Sequence, residues 1–308
     1  MILRMFEKHW KDNHGFIALL IGFLFSSLSL LIAQYLFRHN IHLIGTTTIF
    51  FTVIFTMPIL NHILTEEEKI ERKKGNFFKK NDTIIDFYLY FFLGVFMLFL
   101  LAAFITPEYV FSKDDFYNID TTAVQTVEIG RNLPPPVVND AHLVREIITN
   151  NIYIVLITFA LSLLFGAGSI YIVVLNASMA AALLADLTIK NIGSNFMLSF
   201  ACNWSLLSLH LVPEMLGFLV AAIAGGILYI DFKKEKFRSK NFEEVSLDSL
   251  KLLGISALLI IFGALIEVYM TAKSFQKNVC IESPVAFISF FVGIFLFAIF
   301  LEITRQKH

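Results

Sequence analysis

The feature that most constrains this chain is a series of apolar runs, each about as long as a membrane crossing. A helix needs about 20 apolar residues to span the hydrocarbon core of a bilayer. Such runs exclude an ordinary soluble domain, and the composition of 57% hydrophobic and 16% charged residues agrees with this. The five longest runs are Phe16–Phe37, Leu43–Leu64, Ile84–Ile105, Leu250–Ala272 and Pro284–Thr304.

The middle of the chain is less regular, because it holds four shorter apolar segments. The last three of these are short or marginal for a complete crossing. The segments are Ile147–Phe165, Ile170–Asp186, Phe196–Leu211 and Glu214–Ile230.

Basic residues are unevenly distributed among the polar segments. The N-terminal tail, residues 65–83, residues 231–251 and the C-terminal tail together carry 17 Lys and Arg, whereas the segments on the opposite side carry six. Cytoplasmic loops carry the excess of Lys and Arg. We therefore expect a multi-pass protein of the cell membrane with both termini in the cytoplasm. The net charge of -1 gives no overall field for a polyanion, so we expect the lipid bilayer and not nucleic acid as a partner.

This orientation is incompatible with four complete crossings in the middle of the chain. The loop before them is outside and the loop after them is inside, so an odd number of crossings must join the two. Either one segment fails to cross, or two share a crossing as half-helices. Pro213 lies between the last two segments, lacks an N–H and suits the first turn of a new helix. We therefore predict an all-α fold of about eight crossings, with a broken or re-entrant pair interrupted at Pro213.

Ionisable groups at membrane depth are costly, so they mark candidate sites. His210 and Glu214 are four residues apart and would lie close together across a break at Pro213. A neutral His can donate to a carboxylate, which favours a structural polar clasp over a site for a proton or an ion. One His and one Glu fall short of the three protein ligands usual in a catalytic zinc site, so no metal or cofactor is predicted. Cys202 and Cys280 define neither a metal spacing nor a disulfide framework.

Four Asn residues complete the candidate intramembrane polar site. Asn150 and Asn151 open the fourth span, where they would either cap the helix or form an amide cluster facing the bundle interior. Asn176 and Asn203 lie within spans, where amides usually bond across helices. Glu267, near the outer end of the penultimate span, is expected at the membrane interface.

Small residues are clustered in the central segments, at residues 166–169, 177–182 and 221–226. Small faces let helices approach closely. They are compatible with a homo-oligomer, and equally with packing within one chain.

Several of the motifs described above, taken in their order between about Glu146 and Asp231, resemble those of the stage II sporulation protein M family of integral membrane proteins. Leu211 and Ala177 stand where the family has Gly, whereas the His and the Glu of its His-Gly-x-x-Glu signature are retained. The motifs that carry the resemblance are Asn150-Asn151, Gly166-Ala167-Gly168 with the run to Asn176, and His210-Leu211-Val212-Pro213-Glu214. The flanking architecture looks like that of archaeal-type members.

The chain is thereby divided into four regions. Residues 1–105 hold three spans and a charged cytoplasmic loop, and residues 106–146 form an extracytoplasmic loop that contains several Pro residues. Residues 147–231 form the core that is similar to stage II sporulation protein M, and residues 232–308 add a charged cytoplasmic loop and a two-span hairpin.

In sporulating bacteria the family member is part of a membrane complex that remodels the cell wall during engulfment. No enzymatic activity is firmly attached to the family, so the resemblance implies a fold and a location rather than a reaction. We therefore expect a non-enzymatic scaffold or complex subunit with membrane-protein partners. The first alternative is a transporter or channel for a small solute or ion at His210–Glu214. An intramembrane enzyme is a weaker alternative, because the paired acids and the Ser/His or Cys/His sets of enzymes are missing from the sequence.

Overall fold

The computed structural model describes residues 14–40, 42–71, 82–105, 140–190, 196–234 and 240–276. Within these ranges the chain is helical apart from short turns and contains no strand, which confirms the predicted all-α class for this part of the protein. The helices are α1 His14–Leu36, α2 His42–Glu71, α3 Asp82–Ile105, α4 Asp140–Phe165, α5 Ile170–Lys190, α6 Phe196–Lys234, α7 Lys240–Ile266 and α8 Lys273–Gln276.

Helices α1 to α7 are long and apolar enough to cross a membrane, which makes seven candidate spans among the described residues. The predicted eighth span, residues 284–304, lies outside the described ranges, as does most of the predicted outer loop. The candidate spans are Gly15–Leu36, Leu43–Ile63, Ile84–Ile105, Asp140–Phe165, Ala167–Ile189, Phe196–Tyr229 and Val245–Ala272.

The central region differs from the prediction of a broken or re-entrant pair. The two segments predicted on either side of Pro213 form one continuous helix, α6, with Pro213 inside it. Proline removes one N–H, so only the helical bond to the carbonyl of Leu209 is lost in this way. Membrane helices tolerate this loss where neighbouring helices pack against them, and Pro213 is buried. If each crosses once, α4, α5 and α6 give the odd number that the expected orientation requires, without a half-helix.

The α1–α3 interface is formed by backbones in close approach. A side chain at Gly22 would meet the carbonyl oxygen of Phe91, and a side chain at Gly94 would meet that of Leu19. Beside them, the rings of Phe87 and Phe91 stack at 5.5 Å between centroids. Small residues of this kind allow the close packing on which helix association in membranes depends.

Helix α6 is the centre of the second half of the described structure, because it packs against α4, α5 and α7. Gly217 of α6 faces Ile260 and the backbone of Ser256 on α7. Further along the same interface, the hydroxyl of Ser249 donates to the carbonyl of Ala224 at 3.1 Å. This packing of α4 and α7 against α6 positions the polar groups described below.

A sharp turn joins α4 to α5 at the predicted small-residue motif. Gly166 has a φ of 67°, in the region that favours glycine, and a 3-10 turn follows it at Ala167–Ser169. Asn61 of α2 accepts a hydrogen bond from the Ala167 N–H at 3.1 Å, and Tyr88 of α3 bonds to Ser169 at 2.7 Å. The turn is therefore tied to two other helices.

Candidate functional site

Three ionisable side chains meet between α6 and the end of α7. His210, Glu214 and Glu267 each place one potential ligand atom so that all three atoms lie within 4.8 Å of one another. His210 and Glu214 are one turn apart on α6, which puts them on the same helix face. Glu267 begins a π-helical segment, Glu267–Ala272, that continues α7. We call these three residues the polar cluster.

Glu214 is the most enclosed member of the polar cluster, with 8% of its surface exposed. The Asn151 amide of α4 donates to Glu214 Oε1 at 2.9 Å, so a third helix contributes to the site. On the α7 side, a Cβ atom at Gly263 would lie 2.6 Å from Glu214 Cγ. The absence of a side chain at Gly263 therefore provides the space that the Glu214 side chain occupies.

The hydrogen bonds around His210 define which ring nitrogen carries the proton. His210 Nδ1 lies 3.2 Å from Thr271 Oγ1, and the Thr271 hydroxyl donates to the carbonyl of Leu206 at 3.3 Å. Because Thr271 has one hydroxyl proton and directs it to Leu206, its oxygen accepts from His210. Nδ1 then holds the proton, and in the neutral ring Nε2 keeps its lone pair.

The π-helical segment places two of its side chains in contact with α6. Glu267 joins the polar cluster, and Thr271, four residues later, bonds to both His210 and Leu206. Such segments are rare and occur mostly as single turns inserted in α-helices, frequently at functional sites. Reasoning from the sequence missed Thr271 and assigned Glu267 to the membrane interface. The sequence marks Glu267 only as an acidic residue in an apolar span, and nothing local relates it or Thr271 to α6.

An ion pair lies beyond the polar cluster, where α4 begins and α8 follows the π-helical segment. Lys273 Nζ is 2.8 Å from Asp140 Oδ2, and the same ammonium group lies 4.9 Å from the centre of the Tyr269 ring. Lys273 follows Glu267 by six residues, so it lies more than one helical turn further along the axis. These contacts fix the ends of α4 and α7 relative to each other.

The predicted Asn residues have different surroundings. Asn151 joins the polar cluster, and Asn150 is half-buried at the preceding position of α4. The Asn176 amide donates to the carbonyl of Ile172 at 2.8 Å, within its own helix. The Asn203 amide donates to Ser199 at 3.3 Å, again within its own helix, and its buried Oδ1 has no partner. The expected helix cap at Asn150 and Asn151 is wrong, because the helix begins at Asp140, and Asn151 instead bonds to another helix. The bonds between helices that were expected of Asn176 and Asn203 are replaced by these bonds within their own helices.

Cys202 differs from its predicted state. It is buried in α6 and is disulfide-bonded, although the sequence indicated no disulfide. The other cysteine of the chain, Cys280, lies outside the described residues. Two cysteines far apart in a sequence do not by themselves define a pairing.

The fold and the polar cluster define a polytopic helical membrane protein with ionisable groups between its spans. Residues 87–272 match the family described as stage II sporulation protein M. This match covers more than half of the chain, so the chain belongs to that family, as its motifs indicated. It includes α4, α5, α6, α7 and the π-helical segment, and it excludes α1 and α2.

The chain is also similar to an uncharacterized protein of Methanocaldococcus jannaschii. The two are 31% identical over 134 residues, which is 42% of this chain and 70% of the relative. No solved structure matches the chain. Family membership and the seven apolar helices together indicate a membrane protein.

Proposed function

We propose that this protein is a scaffold or subunit of a membrane complex, with α4, α6 and α7 as its rigid core. The observation that carries the proposal is the environment of Glu214. The residue is 8% exposed, and its carboxylate accepts a hydrogen bond from Asn151 of another helix. A buried polar group that is satisfied by a neighbouring helix fixes the two helices in one arrangement.

The transporter alternative requires helices that move relative to each other around the site. Two further bonds between α6 and α7 favour a fixed arrangement, because their breakage would oppose such movement. Ser256 donates to the carbonyl of Gly217 at 2.8 Å, and Ser249 donates to that of Ala224 at 3.1 Å. With the bonds of Thr271, these contacts extend along the α6–α7 interface from residue 206 to residue 224.

The proposed location is the cell membrane, with eight crossings and both termini in the cytoplasm. The unequal distribution of Lys and Arg supports this orientation. In this orientation the N-terminal end of α6 faces the outside. Labelling that placed Lys236 on the same side of the membrane as Pro135 would contradict the orientation.

Partners would be membrane proteins that bind the outer loop at residues 106–146 or the charged cytoplasmic loops. The composition of these segments supports the proposal, because they are the longest polar segments between the apolar runs. The core helices then serve to hold the loops at fixed positions, and no catalytic step is required of the chain.

The test is to purify the tagged full-length protein from its own cells in mild detergent and to identify co-purifying proteins by mass spectrometry. We expect a defined set of membrane proteins with the wild type and loss of that set with Asn151→Leu, which breaks the α4–α6 bond. Asn176→Leu is the matched control, because the Asn176 amide bonds within its own helix.

A flux measurement separates the scaffold from the transporter. In vesicles reconstituted with the purified protein, we expect the same proton and cation leak for the wild type, Glu214→Gln and the exposed control Glu243→Gln. A flux that the wild type supports and that Glu214→Gln alone abolishes would overturn the scaffold proposal in favour of transport.

A further inference from the structure

We propose that His210, Glu214 and Glu267 bind one divalent transition-metal ion, with Zn²⁺ as the best fit. This inference concerns the occupant of the polar cluster, and it holds whether the protein is a scaffold or a transporter. It replaces the sequence-based expectation of no metal, because the structure supplies the third ligand that the sequence did not indicate.

The positions of the three side chains suit a single ion. Their potential ligand atoms lie within 4.8 Å of one another. Zinc binds His nitrogen and carboxylate oxygen at about 2.0–2.2 Å, so two ligand atoms of a tetrahedral site lie about 3.4 Å apart. The ligand atoms must therefore draw together by up to about 1.4 Å, which rotation of the Glu side chains would supply.

The charges of the three groups also suit a divalent ion. Two carboxylates and a neutral imidazole carry a formal charge of about −2, which one divalent cation cancels. Charge at membrane depth is costly, so an ion that neutralises the formal charge of the three groups is favoured there. The nearby cation Lys273 is held by Asp140 at 2.8 Å and by the Tyr269 ring.

Hydrogen bonds from neighbouring residues orient two of the proposed ligands, His210 and Glu214. Hydrogen bonds to the ligands do the same in known metal proteins. A metal-binding His usually donates its second ring N–H to a neighbouring oxygen, which fixes the tautomer. Thr271 Oγ1 receives the Nδ1–H of His210, which leaves Nε2 for the ion. Asn151 plays the corresponding role for Glu214, since its amide binds Oε1 at 2.9 Å.

The ligand types discriminate between metals. Imidazole suits Zn²⁺, Fe²⁺, Ni²⁺ and Cu²⁺, whereas Mg²⁺ and Ca²⁺ prefer oxygen ligands alone. One nitrogen and two carboxylates therefore favour a transition metal. Three protein ligands leave a fourth position of a tetrahedral zinc site for water or for another ligand.

The experiment uses the full-length protein in detergent, stripped with a chelator and then titrated with Zn²⁺. The number of metal ions per chain is measured by elemental mass spectrometry. Co²⁺ is titrated in parallel, because its visible absorption reports the ligands around it. We expect one Zn²⁺ per wild-type chain. Glu267→Gln, which keeps the size of the side chain, removes a ligand and should abolish this stoichiometric binding. Glu243→Gln, at an exposed position of α7, should leave it unchanged.

Thr271→Val separates a metal site from a merely structural contact, because it keeps all three ligands and removes the oxygen that orients His210. Loss of such an outer hydrogen bond weakens metal affinity about 10–100-fold. We expect a weakening of this size together with an altered Co²⁺ spectrum.

The proposal is overturned if the folded wild type holds no more Zn²⁺ than Glu267→Gln does, since the two carboxylates would then share a proton instead of a metal. If Glu267→Gln does not fold, the measurements on the wild type alone still test the proposal. A wild-type chain that binds no stoichiometric Zn²⁺ and gives the Co²⁺ spectrum of the free ion contradicts the site.

Discussion

The α1–α3 and α6–α7 interfaces both join apolar helices, but they are held together by different means. At the α1–α3 interface, Gly22 and Gly94 bring the two backbones into contact. The buried hydroxyls of α1 bond to carbonyls of their own helix, as Ser26 does to Gly22 and Ser29 does to Phe25. Packing alone is sufficient to join helices in a membrane.

At the α6–α7 interface three hydroxyls bond across the helices instead. Ser256 reaches Gly217, Ser249 reaches Ala224 and Thr271 reaches Leu206. The polar cluster lies in the same interface. All of these residues fall within the range matched by the family, whereas α1 lies outside it. In this chain the directed polar contacts therefore lie in the part that matches the family, and α1 is joined to that part by close packing of backbones.

The largest expected effect comes from breaking the contact between α1 and α3. Gly94→Leu would place a side chain against the backbone of Leu19, and overpacking of this kind costs about 3 kcal/mol. The control is Gly254→Leu on α7, because a Cβ atom at Gly254 meets nothing within 4 Å. Thermal unfolding in detergent should show a much lower midpoint for Gly94→Leu only, and equal midpoints would show that backbone contact does not hold α1 in place.

A smaller effect is expected from removing the α4 contact to the polar cluster. Asn151→Leu leaves Glu214 Oε1 without its amide donor, which costs about 2 kcal/mol for a buried acceptor. Asn176→Leu should cost less, because its amide binds a carbonyl of its own helix. Unfolding midpoints of the two variants measure this difference, and a larger loss with Asn176→Leu would reverse the assignment.

The smallest effect is expected from removing a single hydroxyl. It distinguishes hydroxyls that bond across helices from those that bond within their own helix. Ser256→Ala removes the bond to Gly217, and a hydrogen bond between membrane helices is worth about 0.6 kcal/mol. Ser26→Ala removes only a bond within α1, so a change near zero is expected. If both changes have the same effect in a detergent unfolding series, the contrast between the two interfaces has no energetic basis.

Most of the fold could be predicted from the sequence, because apolar length alone locates a membrane helix. The run predicted at Phe16–Phe37 is α1, and the run at Ile84–Ile105 lies within α3. The continuity of α6 could not be predicted, because the effect of Pro213 depends on helices far away in the sequence that pack around it.

The polar cluster was predicted only in part. The four-residue spacing of His210 and Glu214 placed them together, since one helical turn brings such residues onto one face. Glu267 could not be assigned to them, because its position depends on the π-helical segment and on the pairing of α6 with α7. Neither feature is visible in a local pattern of residues.

The measurement that tests this account most directly is a double-mutant cycle between Asn151 and Glu214, the residues that join α4 to the polar cluster. Free energies of unfolding are compared for Asn151→Leu, Glu214→Leu and the double variant, with the chelator-stripped protein so that metal does not contribute. If the two side chains are bonded, removal of both should cost less than the sum of the single changes, by about 1 kcal/mol. Strictly additive losses would contradict the contact and with it the rigid core.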